Sequence, residues 1–455
     1  MKTCHCYQKG PGYASPTDAF LNGPREKYLF VVCANCDPTK PDRIVTVDVD
    51  PESKTYCSVV SQVVLPYIGD EVHHTGWNAC SSCYNDSAVT RKYLVVPCLN
   101  SSRIYFVDTT DPKGLQLKKI VEPEIMLKNN FSFPHTSHCL GDGNIMISTL
   151  GDVNGDGKGD FVLFNGRTFE LVGSWPVASS RKPKFNYDFW YQPRQNVMIS
   201  TEWGSPKHFM HGLDASDLQK DNVYGRKIHI WDWNQRKMIQ TVELNSQDGL
   251  LPFEIRFLHN PESDEGYFGT AIGSALYHFN KSKVSGTFKV QKVVSIPSKP
   301  AKDWFLPELP AIVSDIVISM DDKYLYASCW LHGEIHQYDI TNSCSPKLVG
   351  KHQEKERVRE LKGKSIDGGP QMLQLSLDGK RLYVTTSLYR AWDQQFYPNL
   401  LKNGSKMLQI ECNTETGGLS LNENFIINFG EIEDGPFLAH EMRYPGGDCT
   451  SDIWV

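Results

Sequence analysis

Seven times along the chain a short run of apolar and β-branched residues returns, bounded by Gly, Pro, Asn or Asp: "KYLFVV" at 27–32, "KYLVVP" at 92–97, "NIMIST" at 144–149, "NVMIST" at 196–201, "GYFGTA" at 266–271, "KYLYAS" at 323–328 and "KRLYVTTS" at 380–387. Such runs read as buried strands. Each is followed by a second strand-like run leading into a turn, as in "RIVTVDVDP", "RIYFVDTTDP", "KIHIWDWNQ" and "EIHQYDITN". The two nearly identical members start at 144 and 196, 52 residues apart. A strand pair recurring at roughly 50–65 residues fits four-stranded blades set in a ring. The pattern predicts an all-β chain, one seven-bladed β-propeller domain over 1–455, with residues 1–20 as an N-terminal extension and short helical insertions. Two β-sandwiches would use strands at similar spacing but do not account for the even register. The C-terminal "AHEMRYPGGD" opens a blade rather than ending one. It is expected to supply the inner strand of the first blade and remove an exposed edge. Helical periodicity is sparse: "KHQEKERVRELKGK" at 351–364 reads as a helical or mobile insertion, and 213–222 is a weaker candidate.

Composition narrows the function classes. Apolar residues at 40 % and charged residues at 22 % are ordinary for a globular protein, and a net charge of −6 lacks the basic excess of a nucleic-acid surface. No run of 18 apolar residues is present, so no integral membrane segment is expected. The start "MKTCHCYQKGPGY" has no apolar signal stretch, and thirteen cysteines without framework spacing fit a reducing compartment. A cytosolic protein is expected.

In a propeller the innermost strands line a central channel. Aligned on the seven runs, those strands begin "HHTGW", "HTSHC", "YDFWY", "FEIRF", "SDIVI", "QMLQL" and, from the C-terminus, "HEMRY". Equivalent positions carry His73 or His74, His135, Asp188, Glu254, Asp315, Gln371 and His440. Burying so many imidazoles and carboxylates around one axis is costly unless they are paired, hydrated or bound to a cation. A wet channel is one solution. A site rich in imidazole favours copper, zinc, nickel or iron over calcium or magnesium. His138 lies three residues beyond His135, and on one strand such a pair faces opposite sides.

Other groups weigh less. "CSSC" with "CANC" could form a four-thiolate zinc site, but over forty residues separate the pairs, unlike compact zinc-ribbon spacing. Cys80 is distinguished by its closeness in sequence to the two histidines, as a ligand or a nearby thiolate. "DVNGDGKGD" has the opening of a calcium loop, yet position 12 is Leu163 and strands flank it, so a turn explains it better. "CHC" at 4–6 reads as chance. His332 in "WLHGEIH" joins the channel set or a surface turn, and Glu202 in "STEW" is similarly open.

These motifs, "HHTGWNACSSC", "HTSHC", "NYDFWYQPR", "NVMISTEW", "GGPQMLQLSLDGKRLYVTTSLY", "WDQQFYP" and "LAHEMRYPGGDCTSDIWV", resemble the selenium-binding protein family, whose members include methanethiol oxidases. The resemblance runs over essentially the whole chain. Departures fall at "CANC", at "DVNGDGKGD" and around 350–364, none of them in the histidine motifs. It implies a cytosolic propeller that oxidises methanethiol with O2 and water to hydrogen sulfide, formaldehyde and hydrogen peroxide, with copper as cofactor. The implied ligands are His73, His74, His135, His138 and His440, and the implied selenium site is Cys57 in "TYCSVV". For the small thiol substrate, Glu254, Asp188 or Asp315 would act as base and Cys80 would hold metal or an intermediate. Phe and Trp of "YDFWY" and "HHTGWN" would receive the methyl group.

Overall fold

The computed structural model describes residues 9–245, 247–302, 308–353, 360–361 and 363–455. It contains seven four-stranded antiparallel sheets, together with two small two-stranded ones, among the described residues. Blade 1 takes Tyr28–Asn35, Pro41–Asp48 and Ser58–Ile68, and its inner strand is Phe437–Arg443. Val31 pairs with Met442 and Cys33 with Ala439, so the chain's end closes the ring as the pattern predicts. Blade 2 begins at Gly76–Trp77 and blade 3 at Ser132–Cys139. The inner strands of blades 4 to 7 are Phe189–Gln192, Pro252–Phe257, Val313–Ile318 and Leu373–Leu375.

Burial follows the radius. Every residue of the inner strands is buried, whereas the outer strand Lys237–Glu243 alternates exposed and half-buried positions. The repeated runs are therefore apolar on both faces, because each second strand is covered by the neighbouring blades. Between blades 5 and 6, for example, Tyr267 and Leu276 pack with Val313, Ile316 and Leu325.

The two ends of the channel are covered differently. At one end short helices, Pro206–Phe209 and Arg390–Phe396 among them, carry an apolar cap of Trp203, Phe209, Trp330, Tyr389 and Trp392. Trp203 and Phe209 stack at 3.7 Å, and Trp392 Nε1 donates to the Phe209 carbonyl. At the other end lies the C-terminal tail. Asp452 accepts from the Ser81 amide and Arg91, and Trp454 Nε1 donates to the Tyr13 carbonyl.

One helical expectation is revised: the segment 213–222 holds only a five-residue 3-10 helix, Ala215–Gln219. At the ends of the segment 351–364, strand Lys347–Gln353 runs in and Glu360–Leu361 pairs with Lys364–Ser365; residues 354–359 and 362, on which the expected helical or mobile insertion centres, lie outside the described residues. The "DVNGDGKGD" stretch is the expected turn, with Asp152 Oδ1 accepting the Asn154 and Asp156 amides. No helix among the described residues is long and apolar enough to cross a membrane.

Candidate metal centre

Four histidines from three blades meet under the apolar cap. His73 and His74 precede the inner strand of blade 2, His135 lies within that of blade 3, and His440 comes from the C-terminal strand of blade 1. One ligand atom from each of His73, His74 and His440 lies within 4.8 Å of the others. The His73 and His440 rings stack at 3.9 Å, and His135 stands 4.1 Å from His74 and 5.1 Å from His73, ring centre to ring centre. None of the four is more than 3 % exposed.

Hydrogen bonds set which nitrogen three of the rings present. His440 Nδ1 donates to the Ser387 carbonyl at 2.8 Å, and His74 Nδ1 to Glu441 Oε1 at 3.2 Å. His135 Nδ1 is bonded to Thr136 Oγ1 at 3.0 Å. The Nε2 atoms of His74, His135 and His440 are buried without a partner. A ring whose Nδ1 is tied to a carbonyl or carboxylate offers a basic Nε2, which is how proteins orient metal-binding imidazoles. Burial and the neighbouring imidazoles push His73 and His135 well below the ordinary range, and burial, then His74, takes His440 to about 3. The neutral form is the ligand form. Buried nitrogens without a protein partner converging in this way are costly without a cation, so the donor set fits a metal that prefers imidazole.

Beneath the histidines the channel holds a charged layer. Glu441 binds Arg443 at 2.7 Å, and Arg443 also donates to the Thr75 carbonyl and Thr450 Oγ1. Arg256 reaches Asp188 at 2.7 Å, Glu254 at 2.8 Å and Asp315 at 3.6 Å. Glu254 Oε1 has no hydrogen-bond partner and lies 3.9 Å from His74 Nε2. Burial, then the Asp188 charge, pushes Glu254 well up from the carboxylate range, and burial takes Asp315 to about 7.

The anticipated single ring of polar groups is therefore two layers. His73, His74, His135 and His440 form one, and Asp188, Glu254 and Asp315 belong to the other. His138 does not join the histidines. It lies beyond a register shift between Pro134 and Ser137, packs on Phe189 and Trp190 with neither nitrogen partnered, and feels Asp188, Arg256, Arg443 and Glu441 of the charged layer instead. His332 lies apart, with Nε2 on the Leu309 carbonyl and Glu334 and Lys299 nearby. Gln371 is buried with its Oε1 unpartnered. Cys80 groups with Ser82 and Cys139 where Asp452 and Arg91 cover the tail end of the channel. The strand Gly76–Trp77 carries the chain away from the histidines before Cys80 is reached, so sequence proximity misleads. Trp77 packs on Phe30 between blades instead of lining the channel. Glu202 pairs with His229 at 2.8 Å on blade 4. The "CHC" at 4–6 lies outside the described residues.

Sequence reasoning passed over Glu441, Arg256, Arg443, Tyr187 and Tyr389. Tyr187 stands 4.2 Å from His135 and Tyr389 6.1 Å from His73. A usable signal existed: "EIR" at 254–256 and "EMR" at 441–443 put Glu and Arg two apart, hence on the same strand face.

Comparison with known proteins gives the family and the fold. The profile of the 56 kDa selenium-binding protein family matches residues 7–455. A Xenopus laevis protein named methanethiol oxidase is 52 % identical over 474 aligned residues, covering 99 % of both chains. The human protein of that name is 48 % identical with the same coverage. The X-ray structure of a selenium-binding protein from Sulfolobus tokodaii superimposes with a TM-score of 0.89 at 36 % identity, over 97 % of this chain and 98 % of that one. A Pseudomonas aeruginosa periplasmic gluconolactonase, at 11 % identity and a TM-score of 0.58 over 92 % of this chain and 98 % of that one, shares the propeller fold alone.

Proposed function

The chain belongs to the 56 kDa selenium-binding protein family, and on that footing we propose that it is a methanethiol oxidase, taking methanethiol, O2 and water to hydrogen sulfide, formaldehyde and hydrogen peroxide. The observation that carries the reading is the convergence of buried, unpartnered imidazole nitrogens under an apolar cap. His73, His74 and His440, with His135 beside them, would hold copper. When bound, copper supplies electron transfer to O2 and acidifies a coordinated thiol, neither of which side chains do alone.

The rest of the reading concerns the chain's own residues. Glu441 holds the proton at His74 Nδ1 and so keeps Nε2 free. Tyr187, Trp203, Phe253 and Tyr389 wall the histidine end with rings and would exclude water from it. Glu254, with Oε1 beside His74 and no other partner, accepts or returns the proton lost from the methyl carbon. Asp188 and Asp315 hold Arg256, and Arg256 positions Glu254. A reducing, cytosolic setting belongs to the same proposal: all eleven described cysteines are free thiols.

The test is elemental analysis of protein expressed with and without copper, combined with assays of hydrogen sulfide and hydrogen peroxide released from methanethiol. Near-stoichiometric copper and turnover are expected together, and both should vanish in His440→Ala. Turnover by copper-free protein, or full copper and activity in His440→Ala, would sink the assignment.

A second reading, selenium or another soft electrophile carried on Cys57, rests on a separate observation. Cys57 is half-buried at φ +62°, and its Sγ lies 3.3 Å from both the amide and the carbonyl of Ile426. It borders a cavity of about 480 Å³ lined also by Lys364, Asn428 and Glu431. Cys57→Ser should abolish selenium retention and leave methanethiol turnover intact.

A further inference from the structure

Outside the channel, on the flank where blades 5 and 6 meet, a second constellation stands. Cys344 occupies the turn between strands Glu334–Asp339 and Lys347–Gln353, and it is the one thiol in an exposed residue among the described residues. Its Sγ lies 4.0 Å from His278 Nδ1. His278, on strand Ala275–Lys281 of the adjacent blade, is 2 % exposed and places Nε2 2.8 Å from Glu265 Oε2. Ser343 Oγ donates to the same carboxylate oxygen at 2.7 Å, and Tyr267 Oη donates to the Ser343 carbonyl at 2.9 Å.

We infer that Cys344, His278 and Glu265 form a nucleophilic site at which the protein adds its thiol to small electron-poor alkenes. A carboxylate on Nε2 keeps the imidazole proton there and turns the lone pair of Nδ1 toward the sulfur, the arrangement of nucleophile, base and orienting group that activates a weak nucleophile. The hydrogen bond from His278 holds Glu265 below the usual carboxylate range, so the orienting charge persists at neutral pH. Ser343 and Tyr267 pin the turn that carries the thiol across the interblade seam. The nucleophile faces solvent while its base is shielded from it.

The chemistry chooses the substrate class. In conjugate addition the Cys344 proton moves to His278 Nδ1 and a sulfur–carbon bond forms. The alkene π pair shifts to the neighbouring carbon, which takes the proton back. No oxidant and no leaving group are needed. Acyl transfer would demand oxyanion donors in addition to this set. The site shares no residue with the histidine cluster and stands or falls independently of the proposed oxidase activity.

The full-length protein treated with N-ethylmaleimide, with labelling of each cysteine followed by peptide mass spectrometry, tests this. At pH 7 Cys344 should react about 10²-fold or more faster than a synthetic peptide of residues 338–350, the low end of general-base catalysis. His278→Gln and Glu265→Gln should fall toward the peptide rate at pH 7. All should converge near pH 10, where an exposed thiol ionises unaided. Glu265→Gln, at the more exposed carboxylate, decides the matter if His278→Gln melts early. A wild-type rate equal to that of the peptide overturns the proposal, and so does a folded variant with the wild-type rate. A loss that persists equally at pH 10 also overturns it, because a change in exposure rather than in the base would explain it.

Discussion

Blades 1 and 5 carry the same pattern on their inner strands, Glu441-Met442-Arg443 and Glu254-Ile255-Arg256, and the two carboxylates end in opposite states. In both, Glu and Arg project into the channel and pair, at 2.7 and 2.8 Å. Burial alone would raise either acid. At Glu441 it is outweighed by Arg443, by His74 and by the Thr75 amide, and the group is held well below the carboxylate range. At Glu254 the Arg256 guanidinium is shared with Asp188 and Asp315, and the acid is driven well above that range. One guanidinium against one carboxylate gives an anchor; one against three leaves an acid with a raised proton affinity. The motif supplies the parts, and the neighbouring blades decide the charge.

The largest expected effect breaks the anchor. Glu441→Gln leaves Arg443 buried with its charge uncompensated, at a cost of about 3–5 kcal/mol, and frees His74 to turn. Losing such a support should also weaken metal binding about 10- to 100-fold. Glu254→Gln puts a neutral group of the same shape where the acid's proton affinity is raised and keeps an oxygen for Arg256, so its stability cost should stay under about 1 kcal/mol. Urea unfolding of the two variants, with metal content measured alongside, checks both. Equal costs would mean that the two carboxylates carry the same charge.

The next effect lies in turnover. If Glu254 handles the methyl proton, Glu254→Gln should cut hydrogen sulfide release by about 10²-fold or more while copper content stays at the wild-type level. Glu254→Asp, which keeps the acid but shortens its reach, should recover part of the rate. Undiminished turnover in Glu254→Gln would confine the residue to holding Arg256.

Much of this was legible beforehand, and the rest was hidden for definable reasons. The seven strand runs announce the ring because each second strand is covered on both faces and tolerates only apolar residues. His73, His74, His135 and His440 could be placed together because inner strands start at one end of a propeller channel. Depth along the channel was not legible. His138 and Cys80 sit close in sequence to true members of the cluster but farther along the channel, His138 beside the charged layer and Cys80 at the tail end. Nor was the cap, since Trp203 and Tyr389 come from loops and Trp392 from a short helix, whose paths no periodicity records. Tyr187, by contrast, directly precedes Asp188 in "YDFWY" and lay within reach of the same alignment.

The smallest effect uses His138, which stands beside both pairs and responds to Asp188, Arg256, Arg443 and Glu441 together. Their influences oppose one another, so burial dominates and takes its imidazole to about 4, from 6.5 in the unfolded chain. Between those values the unfolded chain binds a proton that the folded one does not. Stability is therefore full above pH 6.5 and falls as the pH drops, by about 2 kcal/mol between pH 7 and pH 5 from this group. His138→Phe keeps a ring against Phe189 and Trp190 and should remove that slope, with a change at pH 7 of less than about 1.5 kcal/mol. Urea midpoints of both proteins at the two pH values give the slope directly. A wild-type protein no more pH-sensitive than the variant would show that His138 gains no proton on unfolding. The channel charges would then not cancel at its ring, and the contrast between a one-to-one and a three-to-one pairing would need redrawing.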